Sequence, residues 1–242
     1  MSWSFTTDRG VVVPTVTVEQ MREVDRIAVE RRTPNIYQMM ENAGRALAAA
    51  ATAVIGEGWT GIPITVFGGP GGNGGGGTAA ARHLANRGGD VTLILAREPT
   101  PGTILDQQLE IYSETPGRLG AMPEDQPGLI LDALIGYGLN EAPQGLVAEM
   151  ISAINEAGVP VISLDVPSGR DADTGQAPGV VVAPTETLTL ALPKQGLEGS
   201  DVGDVWLADL GVPAGVFRRV GVEPSPRIFE GGSIVHLSRT SP

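Results

Sequence analysis

Two kinds of hydrophobic pattern alternate along this chain. Thr17 and Gln20 form a capping-box pair, and apolar residues then recur at helical spacing as far as Thr33. A second helical pattern extends from Asn35 to Gly56. Beyond it, apolar runs typical of buried strands cover 62–67, 91–96, 129–132, 159–164, 187–192 and 205–210, and helical patterns cover 78–86, 104–112 and 145–157. This alternation predicts an α/β fold with a parallel, doubly wound sheet.

The regular pattern covers residues 17–221 and fades at both ends. We therefore expect one domain there, preceded by an arm at 1–16 and followed by an irregular tail at 222–242. A chain of 242 residues suits a single α/β domain.

Composition excludes several classes of protein. Cysteine is absent, which removes disulfide frameworks, thiolate metal sites and cysteine nucleophiles. The net charge is −12 and the 16 Lys and Arg residues are scattered, which argues against a nucleic-acid surface. The sequence shows neither a signal peptide nor a stretch of 18 apolar residues, so we expect a cytoplasmic protein without membrane contact.

Glycine dominates the segment from Gly68 to Gly77, where eight of ten residues are glycine. We expect a loop there, between a strand and the N-terminus of a helix, and both the glycine backbone and the helix dipole would favour an anionic ligand. The spacing Gly69-x-Gly71-x-x-Gly74 matches the dinucleotide fingerprint, which is weak evidence alone and could be a flexible turn. We do not expect a Walker phosphate loop, because no lysine precedes Thr78.

Polar side chains follow three of the predicted strands. Asn73, Asp132 and Asp165 come just after strand ends, and Ser168 lies three residues beyond Asp165. We expect these groups to converge at one edge of the sheet, where their oxygen atoms would suit a hard cation and would not suit zinc. The alternatives are that Asp132 caps a turn and that Asp165, before Pro167, forms an Asx turn.

For three other titratable residues we expect no central part in this site. We expect His83 to lie at the surface or its boundary, and His236 lies near the irregular end. Lys194 follows an apolar run, and we expect an exposed lysine at a strand end; the alternative is a cationic partner for a ligand phosphate.

Six segments together make the chain resemble a known family. They are MENAGRALA at 40–48, GPGGNGGGGTAAARHL at 69–84, LDALIGYGL at 131–139, LDVPSG at 164–169, LTLALPKQGL at 188–197 and VWLADLGVP at 205–213. In their order and spacing they resemble the NAD(P)HX epimerases, the proteins with a YjeF N-terminal domain. The resemblance implies a Rossmann-like three-layer αβα sandwich, a homodimer, and interconversion of the R and S epimers at C6 of hydrated NADH or NADPH.

The resemblance also implies roles for particular residues. A potassium ion would be bound by Asn73, Asp132 and Ser168. Since epimerisation of the C6 hydroxyl requires proton transfer at oxygen, we expect Asp165 to be the acid-base group, with Asp132 as the second candidate. The residues implied to bind the substrate are Gly72, Asn73, Gly74, Gly75, Gly76, Gly136, Tyr137, Gly138, Leu139, Asn140 and Asp165.

The glycine segment departs from the family pattern, which reads Gly-Asn-Asn-Gly-Gly-Asp-Gly. This chain has Gly72 and Gly76 in place of the first Asn and the Asp, so we expect a more mobile loop. Gly72→Asn with Gly76→Asp should then raise the activity or the order of the loop. One alternative function is a non-catalytic nucleotide-binding or protein-interaction member of the same fold. Another, an NAD-dependent oxidoreductase with Glu98 on the ribose, is weaker because a Tyr-x-x-x-Lys pair is absent.

Overall fold

The computed structural model describes residues 4–31, 34–122 and 126–240. Most helices lie close to the predicted bounds. They are α1 Val18–Arg31, α2 Ile36–Ile55, α3 Gly72–Ala85, α4 Ile104–Ser113, α5 Gly145–Glu156 and α6 Ala214–Arg218, with short 3₁₀ helices at Trp59–Gly61, Gln195–Glu198 and Ser200–Val202. The predicted end of the first helix at Thr33 lies outside the described residues.

The start of α1 confirms the predicted capping box. The Thr17 hydroxyl accepts a hydrogen bond from the Gln20 backbone N–H at 3.1 Å, and the Gln20 side-chain oxygen accepts from the Thr17 N–H at 2.9 Å. Helix α2 also begins with a capping box, which is formed by Asn35 and Gln38. The first two helices are therefore set by local sequence. None of the helices in the described ranges is long and apolar enough to cross a membrane.

One mixed sheet runs through the molecule. Its strands are β1 Ser4–Thr7, β2 Val12–Val13, β3 Ile64–Gly68, β4 Val91–Leu95, β5 Arg118–Leu119, β6 Leu129–Ala133, β7 Val161–Leu164, β8 Glu186–Leu190, β9 Asp204–Ala208 and β10 Ile234–Thr240. Over the described residues the strand order is β2-β1-β10-β9-β8-β7-β6-β3-β4-β5. The block from β9 to β5 is parallel, and β1, β2 and β10 pair antiparallel. The predicted α/β fold with a mostly parallel sheet is confirmed.

Side chains on the central strands point alternately to two apolar layers. Val66 and Leu131 belong to the cluster packed under α1, α2 and α3, whereas Phe67 and Ile130 belong to the cluster packed under α5. Both faces of the parallel sheet are therefore covered, as the three-layer sandwich requires.

Both ends of the chain contribute strands that the hydrophobic pattern did not predict. Strand β10 pairs with β9, and β1 pairs with β10, placing Phe5 opposite Arg239 and Thr7 opposite Leu237. The tail was expected to be irregular, but it contains β10. The local pattern did not reveal this strand because its pairing partners lie far away in the sequence. The division into an arm, a domain and a tail stays a prediction.

Helix α3 begins at Gly72, so the prediction of a loop continuing to Gly77 is wrong. A Cβ atom on Gly74 would lie 1.8 Å from the carbonyl oxygen of Gly69, and one on Gly77 would lie 2.5 Å from the Ala133 Cβ. No glycine between Gly68 and Gly77 has a positive φ. These glycines therefore allow α3 to pack closely on the sheet, and freedom of the backbone is not their role.

The order of the strands identifies where a ligand would bind. Strand β3 is the first of the parallel block in the chain; β4 and β5 lie on one side of it, and β6 to β9 lie on the other. The carboxyl ends of β3 and β6 thus flank the point at which the strand order reverses, where open α/β sheets bind ligands.

Candidate active site

A cavity of about 820 Å³ lies beyond the carboxyl ends of β3, β6 and β7. Its size falls within the range of small-molecule sites. Apolar side chains from α1 and α2, including Met21, Met39 and Met40, form much of its wall. The polar side chains that line it include Arg22, Asp25, Asn73, Tyr137, Asp165 and Lys194.

The N-terminus of α3 faces this cavity. Pro70, Gly71, Gly72 and Asn73 all line it, and Gly71 is the N-cap residue. No side chain among the described residues caps this helix end. Its first N–H groups and its dipole therefore offer a binding position for an anion such as a phosphate.

Asp165 is held rigidly at the end of β7. Its side chain is buried, and its backbone is in the left-handed region with φ 71°, which Asp tolerates better than most residues. Oδ1 accepts a hydrogen bond from Lys194 Nζ at 2.5 Å, and Oδ2 accepts from the Tyr137 N–H at 3.2 Å. A weaker contact joins Oδ1 to the Leu190 N–H at 3.4 Å. The carboxylate thus has a fixed position at the wall of the cavity.

Lys194 is 1% exposed, so the expectation of an exposed lysine is wrong. Besides its ion pair with Asp165, its ammonium donates to the Leu190 carbonyl at 2.9 Å and lies 5.8 Å from the centre of the Tyr137 ring. An apolar run before a lysine does not reveal that the chain turns back toward the strand ends, so local sequence carried no signal for this burial.

Three predicted polar residues hold the segment that follows β6. The Leu134 N–H donates to Asp132 Oδ1 at 3.2 Å and the Ile135 N–H donates to Ser168 Oγ at 2.8 Å, while the Tyr137 N–H reaches Asp165. The segment from Gly136 to Asn140, which the resemblance assigns to substrate binding, is therefore held at its start against the ends of β6 and β7.

Asp132 and Ser168 lie behind the cavity wall. Neither lines the cavity and both are fully buried. Asp132 accepts hydrogen bonds from the hydroxyls of Ser163 and Ser168 at 2.7 and 2.6 Å and from the Ser168 N–H at 3.0 Å. Burial raises the pKa of the Asp132 carboxyl, and these hydrogen bonds oppose the rise. This arrangement suits a group that positions its neighbours, and the carboxylate is not part of the cavity wall.

Asn73 approaches the same region from α3. A Cβ atom on Gly136 would lie 3.2 Å from Asn73 Oδ1 and 3.1 Å from Asp165 Oδ2, so both side chains border this glycine. The Asn73 Nδ2 atom is buried and lacks a hydrogen-bond partner among the described residues. Of the four groups predicted to converge, Asp132 contacts Ser168 directly, and Asn73 and Asp165 meet at Gly136.

The remaining predicted substrate residues divide into two groups. Gly74 and Gly75 do not line the cavity. Gly75 lies instead near Met40 of α2 and Ile104 of α4. Glu98, which the oxidoreductase alternative would place on the ribose, is exposed and does not line the cavity. The residues that do line the cavity are Gly72, Asn73, Gly76, Gly136, Tyr137, Gly138, Leu139, Asn140 and Asp165.

Sequence reasoning missed Asp25. This residue lies on α1 and lines the cavity, and its Oδ2 accepts a hydrogen bond from the Tyr137 hydroxyl. Burial raises the pKa of the Asp25 carboxyl, against the effects of the Tyr137 hydrogen bond and the Lys194 charge. Its spacing in the sequence could have revealed it. Asp25 follows Met21 by four residues, which places its carboxylate beside the buried apolar face of α1.

Comparison with known proteins identifies the family and agrees with the fold. The family model for YjeF-related protein N-terminus matches residues 36–196. A protein named NAD(P)H-hydrate epimerase from Dehalogenimonas lykanthroporepellens is 44% identical over 241 residues, 98% of each chain. Another of that name from Truepera radiovictrix is 37% identical over 86% of this chain and 95% of its own. The crystal structure of yeast ynu0 has a TM-score of 0.80 over 93% of this chain and 100% of its own, at 21% identity, and so shows the fold alone. The chain belongs to the YjeF-related N-terminal domain family.

Proposed function

We propose that this protein is an NAD(P)H-hydrate epimerase that interconverts the R and S epimers of hydrated NADH or NADPH. The observation that carries the proposal is the cavity itself, which has a fixed carboxylate, Asp165, and an uncapped helix N-terminus in its walls. The two relatives named NAD(P)H-hydrate epimerase, which match this chain over most of its length, support the same reaction.

The two features of the cavity match the two ends of such a substrate. Phosphate groups would bind at the N-terminus of α3, where N–H groups and the dipole favour negative charge. Arg22, on the cavity rim, adds a positive charge and donates a hydrogen bond to Asn140 at 3.3 Å. The hydrated nicotinamide would then lie against Asp165 and Tyr137.

The chemistry requires proton transfer to and from oxygen. The substrate is a hemiaminal, with a hydroxyl on the carbon beside the ring nitrogen. Epimerisation needs reversible loss of that hydroxyl or opening of the ring, and a positioned carboxylate assists either route. Asp165 takes the acid-base role in this proposal. Asp132, which was the second candidate, holds the segment after β6 instead, because its carboxylate does not reach the cavity.

The residues assigned to potassium fit a hard cation. Asp132, Ser168 and Asn73 supply a carboxylate, a hydroxyl and an amide oxygen, and oxygen atoms are the ligands that a hard cation prefers. Among the described residues, no group of three or more His, Asp or Glu side chains could hold a metal ion. The proposed potassium site therefore contains a single carboxylate, that of Asp132. When bound, potassium would offset the negative charge of the nucleotide and of Asp132.

Two further parts of the proposal concern the state of the protein. We propose a homodimer acting in the cytoplasm on NADHX or NADPHX, without nucleic-acid or membrane partners. The small-molecule substrate follows from the proposed activity.

The experiment supplies R-NADHX together with a dehydratase specific for the S epimer and follows the formation of NADH by its absorbance. Purified protein should accelerate NADH formation, more in potassium than in sodium buffer. Asp165→Asn should reduce this rate by about 10²- to 10⁴-fold, because it removes the acid-base group. Asn is chosen because it tolerates the positive φ of this position.

Glu23→Gln serves as the matched control, because Glu23 lies on α1 and outside the cavity, with its side chain 41% exposed. It should keep the native rate. A folded native protein that fails to accelerate the reaction in either buffer would contradict the proposed function and favour the non-catalytic alternative.

A further inference from the structure

The fixed position of Asp165 limits what it can do in an epimerase. Its two oxygens accept hydrogen bonds from Lys194 and Tyr137, its backbone is in the left-handed region, and the residue is 4% exposed. Such a carboxylate cannot swing from one side of a bound ring to the other. If the reaction passes through loss and return of water, Asp165 can serve only one face of the ring.

That route requires a proton donor or acceptor on each face. A donor on the first face protonates the C6 hydroxyl; the C6–O bond breaks, its electron pair leaves with water, and the ring nitrogen lone pair forms a C=N⁺ bond. A second water then adds to C6 from the opposite face, and the group on that face accepts the proton that this water loses. One water leaves and one enters, and solvent returns the transferred proton between turnovers.

We propose that Asp25 and Tyr137 form the proton-transfer pair for the face of the ring that Asp165 does not reach. This proposal rests on the proposed epimerase function. Tyr137 joins the two carboxylates: its backbone N–H donates to Asp165 and its hydroxyl donates to Asp25. The carboxylates of Asp25 and Asp165 therefore lie at opposite ends of one tyrosine, and all three residues line the cavity.

The surroundings of the pair suit this role. Lys194 forms an ion pair with Asp165 and lies 5.8 Å from the Tyr137 ring centre, and its positive charge also opposes the rise in the pKa of Asp25. Burial, followed by the negative charge of Asp25, raises the pKa of the Tyr137 phenol. The phenol therefore stays protonated and passes a proton on by giving one to Asp25 while accepting another. In this pair Tyr137 would contact the substrate, and Asp25 would act through it.

The test uses Asp25→Asn and Tyr137→Phe in the full chain. Each variant should lower the rate constant for epimerisation by about 10²-fold with little change in KM, because the pair acts in proton transfer. The double variant should lose no more than either single variant, because both residues belong to one path. Asp25→Glu should recover part of the rate, and Glu23→Gln on the same helix should match the native protein.

Oxygen-18 water separates this role from a structural one. In the native protein both epimers should exchange their C6 oxygen with solvent. In Asp25→Asn, the epimer whose hydroxyl faces Asp165 should still exchange without inverting, whereas the other epimer should lose exchange. A structural defect would lower exchange of both epimers equally, and that result would overturn the proposal.

Two other results would also overturn it. Native epimerisation without incorporation of oxygen-18 would show that the ring opens and that no second face is needed. An Asp25→Asn variant that is as active as the native protein would remove the pair from the mechanism while leaving the proposed function intact. Failure of the native protein itself to epimerise would reject the proposed function, so the two failures are distinguishable.

Discussion

At the scale of residues, the site is built around a buried ion pair. Lys194 and Asp165 are 1% and 4% exposed, and taking both charges out of water is costly unless they satisfy each other and their remaining hydrogen bonds. Here Lys194 also donates to a carbonyl and Asp165 also accepts from two backbone N–H groups. Asp165 has a positive φ as well, and strain of this kind is typical of functional sites.

Removal of the lysine alone should therefore be severe. We expect Lys194→Met to lower the free energy of unfolding by about 3–5 kcal/mol, because it leaves a buried carboxylate unpaired. Asp165→Asn combined with Lys194→Met should recover most of that loss, since no buried charge then remains. Urea unfolding of both variants measures the difference. A double variant no more stable than Lys194→Met would show that the unpaired charge is not the cause.

At the scale of elements, α3 combines two requirements in one glycine-rich segment. Its N-terminus must face the cavity, and its first turns must pack directly on the residues that follow β3 and β6. The contacts at Gly69 and Gly74 leave no room for a side chain, since a Cβ on Gly69 would lie 1.7 Å from the Leu134 carbonyl oxygen. Gly76 is also confined, because a Cβ there would lie 3.0 Å from Leu164 Cδ2.

Two alanine substitutions on the same helix should therefore differ. Gly74→Ala should destabilise the protein by about 1–3 kcal/mol or more, because its Cβ meets backbone that cannot move easily. Gly72→Ala should leave stability unchanged or slightly higher, since its Cβ would come no closer than 3.9 Å to Met40 and alanine favours the helix. Thermal unfolding of the pair provides the measurement. Equal losses in the two variants would mean that close packing is not what requires these glycines.

At the scale of the whole molecule, the two ends of the chain close one side of the sheet. Strand β10 pairs with both β9 and β1, so it joins the parallel block to the N-terminal hairpin formed by β1 and β2. Val205 and Leu207 of β9 are buried in this region. Without β10, β9 would become an open edge with unpaired backbone groups.

A chain that ends after Ser233 should consequently unfold at a lower temperature and associate as its concentration rises. The matched control ends after Thr240 and keeps all of β10; it should behave as the full chain does. Thermal unfolding and size-exclusion chromatography at several concentrations test this expectation. If the shorter chain matched the control in both, β10 would be dispensable for the sheet.

The sequence by itself determined the alternating elements, the first two helices and the position of Asp165 directly after β7, because these depend on local periodicity and capping; Asp132, predicted to follow a strand, lies within the last residues of β6. Tertiary structure decided what depends on distant partners. It alone placed Asp25 against Tyr137 and buried Lys194 beside Asp165, because these contacts join residues 112 and 29 positions apart. It also made the glycine segment a helix and gave β10 its place, since close packing and strand pairing across the whole chain leave no local periodic signal.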